Sequence, residues 1–595
     1  MGAGADRLEA LRAALREAGV DGFVLARTDM YGSEYLPAGE ERVAWLTGFT
    51  GSAARLVVLP ETAALFTDGR YTLQVQEEVD TARFETPHLI HEPPATWLRA
   101  HAPEGVRLGY DPFLHLRGEL DRLEKALAVR GGELIPLTPN PIDRLWRERP
   151  APPAAPMVAH PLAHAGESSA DKRRRMLEAV AEAGAEGLFV SAADGVAWLL
   201  NIRGGDVPFN PLCLGLALVL PEARAVLLTD PAKQPAGFAF EDDEIALHPL
   251  DERRALYTEL ARECTRILVD PAVTHAGLID ELTTAGVCVV EGKDPVTGAK
   301  AKKNNAEVAG ARRAQVVDGA AVSRFLARLD RGDCADELAA AAALETERAK
   351  APDYLGPSFD TISGAGPNGA IVHYRVTEAT NRPLEPGTLY LVDSGGQYPD
   401  ATTDVTRTVA IGEPAAEMRR RFTLVLKGHI ALAEAVFPEG TAGSQLDAFA
   451  RRHLWAAGLD YDHGTGHGVG SRLCVHEGPQ RIAKRGGDVK LEAGMILSNE
   501  PGNYPSGAYG IRIENLMLVV EKGMPEGGDL TLLGFEVLTL APIDRRLVDT
   551  ALLTAEELAW LDAYHARVRA RLAPELDDAD RAWLEAATAP LGRAA

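Results

Sequence analysis

Nine residues at 462–470, DHGTGHGVG, set two histidines, His463 and His467, four positions apart among four glycines. Imidazoles at that spacing share one face of a helix and could hold one metal ion, as in H-E-x-x-H. Each glycine, however, costs a helix about 1 kcal/mol relative to alanine, so an extended or looped segment is expected. Without a helix the two rings need not converge. The expectation is one metal ligand, with the other histidine supporting it or facing a substrate.

Carboxylates would complete such a site. In LYLVDSGGQYPDATTDVTRTVA, 389–410, an apolar run ends at Asp393, Gly395 and Gly396 begin a turn, and a Thr- and Val-rich run containing Asp404 follows. This hairpin pattern could bring both carboxylates together across neighbouring strands. Taken alone, it reads slightly better as a turn former and a solvated strand residue. The segment MILSNEPGNYPSGAYGIRIENLMLVV, 495–520, repeats the arrangement: Glu500 closes one apolar run and Glu514 lies within the next. A lone charge in an apolar strand is costly unless paired or metal-bound. Two such hairpins are harder to dismiss, and four carboxylates converging on one pocket repel one another unless cations lie between them. Two divalent ions meet that requirement. Oxygen-rich ligation with a single imidazole favours a hard ion such as Mn²⁺, with Co²⁺ or Zn²⁺ as alternatives. His373 in AIVHY and His476 in CVHEGP read on their own as core histidines. Beside a metal pocket they become candidates for proton transfer and oxyanion stabilisation.

All these residues follow position 300, so the last part of the chain must position them. What precedes is an internal repeat. AGVDGFVLARTD at 18–29, VAWL at 43–46 and ARLVVLPETAALFTD at 54–68 recur as AGAEGLFVSAAD at 183–194, VAWL at 196–199 and LGLALVLPEARAVLLTD at 214–230. The order of pieces indicates duplication, and strands alternating with helices predict two α/β units with largely buried sheets. A helix with Leu8, Leu11 and Leu15 on one face and Gly19 as its stop opens the first copy. The Pro-rich stretch 148–161 separates the copies, and polarity rises again near 292–307. Three domains are therefore expected, at 1–150, 151–300 and 301–595. Helical segments cover 306–349, strands punctuated by glycine follow, and a last helix opens at the capping box of Thr554 and Glu557.

Composition sets limits on partners. Asp and Glu outnumber Lys and Arg by 86 to 62, giving a net charge of −24, which argues against nucleic acid or an anionic membrane surface. No apolar run reaches the roughly 18 residues of a membrane span, and the charged N-terminus is no signal peptide. Five scattered cysteines, Cys213, Cys264, Cys288, Cys334 and Cys474, lack any C-x-x-C and fit a reducing, cytoplasmic setting.

The ordered set Asp393, Asp404, His467, Glu500 and Glu514 resembles the five-ligand dinuclear site of the pita-bread metallopeptidases (family M24). HGTGHGVG, VHEGP, NEPG and GIRIEN are similar to the forms in X-prolyl aminopeptidases, or aminopeptidase P. SEYLP at 33–37, GFTGSA at 48–53, TDGRY at 67–71, NIRGGDVPFNP at 201–211, KKNNAE at 302–307 and WLDAYH at 560–565 extend the likeness to the three-domain form. The resemblance implies an α/β chain with two creatinase-N-like domains before a pita-bread catalytic domain. It implies that Asp404 and Glu514 bridge the metals, with Asp393 completing one ion and His467 and Glu500 the other. It also implies that His373, His463 and His476 surround the substrate, that Arg512 orients the acidic ligands, and that the enzyme is a homodimer. The activity implied is removal of the first residue from peptides with proline second. A water between the metals, acidified towards pKa ~7, would attack the carbonyl with Glu500 as base and His476 at the oxyanion. Asn503, Tyr31, Arg472 and Cys474 depart from the common pattern. A prolidase-like dipeptidase and a non-catalytic peptide-binding protein are the alternatives. The duplicated N-terminal unit weighs against the first, and the full set of candidate ligands against the second.

Overall fold

The computed structural model describes residues 3–262 and 266–592; Cys264 lies outside them. The chain forms two compact units that divide at Thr297 and Gly298, with Ala163–Gly166 belonging to the second.

The first unit carries the repeat as two sheets of matching topology. In the first sheet Gly22–Ala26 pairs antiparallel with Arg55–Val58 and parallel with Arg107–Tyr110; Ala63–Phe66 and Glu133–Pro136 form the edges. In the second, Gly187–Val190 pairs antiparallel with Leu216–Val219 and parallel with Arg266–Val269. One further strand, Ile245–Pro249, extends the second sheet beside Ala225–Thr229. The central strands are buried along their length, as expected of sheets covered on both faces. The Pro-Glu turns close the hairpins, and both VAWL segments lie in short helices. Leu8, Leu11 and Leu15 are buried on the opening helix, Ala3–Glu17.

The second unit is built around two antiparallel sheets. The smaller runs Ile362–Ala365, Thr388–Ser394, Val405–Ile411. The larger runs Val436–Pro438, Leu532–Val537, Asn515–Gly523, Ile496–Asn499, Gly466–Gly468, Glu477–Ile482. Helices Asn305–Arg331, Ala416–Ala433, Gly443–Trp455 and Ala555–Leu572 contribute to the cores around these sheets. The long helix Asn305–Arg331 opens with a capping box of Asn304 and Glu307 from the KKNNAE segment, and ends at Gly332 with φ 79°. Thr554 and Glu557 form the expected capping box. The sequence predicts no helix beyond it. A further one, Asp578–Ala587, follows it, capped by Asp577 after the break at Ala573–Glu575.

Candidate metal centre

The glycine-rich segment forms no helix, as its composition requires: it bends at 462, 463 and 465, and His467 lies on the short strand Gly466–Gly468. That strand is wedged between two others. A methyl group at Gly466 would sit 2.0 Å from the Ser498 carbonyl oxygen, and one at Gly468 would sit 2.4 Å from that of Glu477. His463 lies outside the strand and is engaged at both ring nitrogens: Nδ1 is 2.7 Å from the Gly464 carbonyl oxygen and Nε2 is 2.9 Å from the Tyr504 hydroxyl. His467 differs. Its Nδ1 lies 2.9 Å from the Gly468 carbonyl oxygen, which places a proton there and leaves Nε2 as the nitrogen that could bind a metal. That Nε2 stands 3.4 Å from Asp404 Oδ2 and 3.5 Å from Glu500 Oε1.

The two hairpins deliver the carboxylates with one correction to the sequence reading. Asp404 and Glu514 stand immediately before the strands Val405–Ile411 and Asn515–Gly523, not within them. Both are buried there, and the Glu514 N–H donates to the Thr406 carbonyl at 3.2 Å. Asp393 pairs across the sheet with Thr406, and Glu500 follows the strand Ile496–Asn499. Ligand atoms of Asp404, His467 and Glu514 all lie within 4.8 Å of one another.

Polar partners hold these groups in place. Thr406 Oγ1 donates to Glu514 Oε2 at 2.7 Å and accepts from Arg512 Nε at 3.1 Å. Ser498 Oγ donates to Glu500 Oε1 at 3.1 Å. Arg512 Nη2 donates to Asp393 Oδ2 at 2.6 Å and Nη1 to the Tyr504 hydroxyl at 2.7 Å, so the Tyr504 proton points at His463 Nε2. Asp393, Arg512, Tyr504 and His463 thus form one connected chain. Sequence reasoning found three of its members and passed over Tyr504 while noting Asn503 beside it. The Asn503 side chain instead accepts from Arg421 Nη1 at 3.0 Å. Arg451, buried in the helix Gly443–Trp455, reaches the His463 carbonyl oxygen at 2.7 Å and stacks over the Tyr461 ring at 3.7 Å. The His476 ring meets that of His467 edge-on, centroids 4.4 Å apart. His373 lies half-buried in the loop before the Asp393 strand.

The electrostatics test whether metal fits. Burial pushes the Glu514 carboxyl well above its ordinary range, and repulsion from Asp404, Asp393 and Glu500 adds to it. Burial also raises Asp393, with Arg512 opposing and Asp404 adding, and raises Glu500 against the attraction of His467 and Arg512. Burial alone would lower His467, but the Asp404 hydrogen bond and the Glu500 charge outweigh it and raise the imidazole to about 9. Asp393 Oδ1 is buried without a hydrogen-bond partner. Buried carboxylates this close need more positive charge than one guanidinium supplies, and oxygen donors with one imidazole suit hard divalent ions. The residues fit such ions.

Known proteins share this arrangement of chain. Two descriptions of the creatinase/prolidase N-terminal domain match residues 7–145 and 148–307, metallopeptidase family M24 matches 309–521, and the C-terminal region of peptidase M24 matches 531–591. A probable Xaa-Pro aminopeptidase P of Fusarium vanettenii is 40% identical over 98% of each chain. Aminopeptidase P2 of Arabidopsis thaliana is 37% identical over 99% of this chain and 89% of its own. The crystal structure of X-prolyl aminopeptidase from Caenorhabditis elegans, described as a cytosolic enzyme with a di-nuclear active site, superposes with a TM-score of 0.92 at 33% identity. That superposition covers 99% of this chain and 100% of the other.

Proposed function

The chain belongs to the M24 metallopeptidases, in the Xaa-Pro aminopeptidase P group, and on that premise we propose which of its residues act, on which metal and in what assembly. It is a metal-dependent aminopeptidase that removes the N-terminal residue from peptides with proline second. The observation that carries this reading is the convergence of Asp404, His467 and Glu514 within 4.8 Å, beside buried carboxylates that oppose one another.

Asp393, Asp404, His467, Glu500 and Glu514 would hold two divalent ions between them. Mn²⁺ is the ion proposed, because the donors are hard oxygens with one imidazole. Such ions supply Lewis acidity and a water acidic enough to react near neutral pH. Glu500, its carboxyl raised by burial, takes the proton of the attacking water. The proline nitrogen would otherwise leave as a strongly basic amide anion, so it must be protonated as the C–N bond breaks. Glu500 returns the proton there. His476, set beside His467, faces the developing oxyanion, and His373 and His463 bind the peptide around the scissile bond. Arg512 opposes the rise that burial imposes on Asp393 and ties that residue through Tyr504 to His463.

The remaining proposals concern the whole protein. We assign creatinase-like domains to 1–150 and 151–300 and the catalytic domain to 301–595. Among the described residues no helix is long and apolar enough to cross a membrane. A cytoplasmic location is supported by the worm enzyme being a cytosolic one. A homodimer rests on the resemblance and is checked by light scattering.

Release of the first residue from an Xaa-Pro-Xaa peptide tests the function. The metal-stripped protein is expected to be inactive, Mn²⁺ to restore cleavage, and Asp404→Ala and an Xaa-Ala-Xaa peptide each to abolish it. Cleavage of Xaa-Pro dipeptides alone would favour the prolidase-like reading instead.

A further inference from the structure

One buried carboxylate in the catalytic unit belongs to no metal and no ion pair in the site described, yet it is hydrogen-bonded on every side. Glu337 begins the helix Glu337–Arg348 and is fully buried. Its Oε1 accepts from the Ala365 N–H at 2.6 Å, and its Oε2 from the Arg382 N–H at 3.0 Å and the Tyr374 hydroxyl at 3.1 Å. The Asn368 amide donates to both oxygens at 3.0 Å. The backbone of Glu337 adds two bonds: its N–H donates to the Arg382 carbonyl at 3.1 Å and its carbonyl accepts from Ser363 Oγ at 2.7 Å.

Every donor to that carboxylate comes from one stretch, 365–382, and the four are its start, its end and two points between. Ala365 ends the strand Ile362–Ala365; from there to Arg382 the stretch contains a short 3₁₀ turn, Gly366–Ala370, and no strand, so no ladder fixes the path between its ends. His373 lies inside it, next to Tyr374. Loops without secondary structure are mobile by default, and a catalytic group must be held within a fraction of an ångström to act. We propose that Glu337 is a positioning residue for the substrate: its carboxylate folds the 365–382 loop so that His373 meets the peptide beside the metal centre. This rests on the role given to His373 above. Four donors on one carboxylate explain why a glutamate is buried here without a cation: it is the acceptor that a loop lacking a ladder needs.

The test is a double-mutant cycle on the metal-loaded enzyme, with kcat and KM measured for an Xaa-Pro-Xaa peptide. Glu337→Gln is expected to lower kcat/KM by ~10–100-fold, the range that a misplacement of about 1 Å produces. His373→Ala is expected to lower it at least as far. Glu337→Gln on the His373→Ala background should then change it by less than about twofold, because both act through one ring. Hydrogen exchange should speed up at 365–382 in Glu337→Gln and stay unchanged at 466–468 and 496–499, with metal content intact. Tyr374→Phe removes one of the four donors together with the hydroxyl's bonds to Asn368 and Thr380 in the same loop, and should show the same pattern with a smaller loss, which keeps the question open to test if Glu337→Gln does not fold. Losses that multiply, or unaltered exchange in the loop, would overturn the assignment of Glu337 alone. A His373→Ala enzyme with parental kinetics would overturn it together with the role of His373.

Discussion

Thr406→Val removes one hydroxyl and little else, and its consequence can be worked out from the site. The side chain is fully buried, so valine fills the same space and no water replaces the oxygen. Glu514 Oε2 loses a donor at 2.7 Å and Arg512 Nε loses its acceptor at 3.1 Å. A hydrogen bond to a charged group contributes about 1.5–3 kcal/mol. The ionised form of Glu514 is the form that binds cations, and burial already disfavours it. Loss of the hydroxyl therefore appears as weaker metal binding. At about 1.4 kcal/mol per decade the expected change is roughly 10- to 150-fold, which agrees with the ~10–100-fold found when partners behind a metal ligand are removed. Calorimetric titration of Mn²⁺ into stripped parent, Thr406→Val and Thr406→Ser protein measures it, with Thr406→Ser expected to recover most of the affinity. Equal affinities for parent and valine variant, or no recovery with serine, would refute the assignment of Thr406 as the support of a metal-holding Glu514.

Three further outcomes follow from the same geometry. Gly466→Ala should lower the thermal midpoint and abolish metal binding, since its methyl would meet the Ser498 carbonyl at 2.0 Å. Gly464→Ala, whose nearest contact would be 3.6 Å, should leave both almost unchanged, and equal effects would refute the wedged strand. Tyr504→Phe should retain its metals and lose ~10–100-fold in kcat/KM, because Arg512 and His463 are then no longer joined; parental kinetics would remove that link from the account. Burial holds the His429 and His565 imidazoles neutral, lowering each pKa to about 3. Only the unfolded chain then takes up protons between about pH 6.5 and 3, so each group removes stability as pH falls through that window, by about 1.4 kcal/mol per unit. The thermal midpoints of parent and His565→Gln should accordingly converge between about pH 7 and about pH 5; a constant gap would contradict a buried neutral His565.

The parts of the fold readable in the sequence were those governed by local rules. The repeat showed because each copy spells out its own apolar strands and Pro-Glu turn, and both sheets accordingly share one topology. The non-helical course of 462–470 followed from its glycines, and the inward carboxylates from the cost of charge in apolar surroundings. What stayed hidden depends on neighbours distant in the chain. Thr406 and Glu514 are 108 residues apart, and nothing around Thr406 marks its hydroxyl as the one that meets a carboxylate. Arg451 and Tyr504 look like ordinary surface-helix and turn residues until helix and turn are packed against His463. Glu337 reads as a helix-start glutamate, and only the folded loop reveals its donors. The helix Asp578–Ala587 was missed because the Ala573–Glu575 break resembles the end of the chain's structure.

Counting metal ions bound per chain, on protein whose Xaa-Pro-Xaa cleavage is measured in parallel, tests the central claim most directly. Two Mn²⁺ per chain are expected in the active parent, with Asp404→Ala and Glu514→Ala each losing bound metal and activity together, because the proposed site gives both residues to both ions. Full activity with no metal bound, or an Asp404→Ala protein that keeps two ions and cleaves at the parental rate, would contradict the dinuclear site built from these five residues.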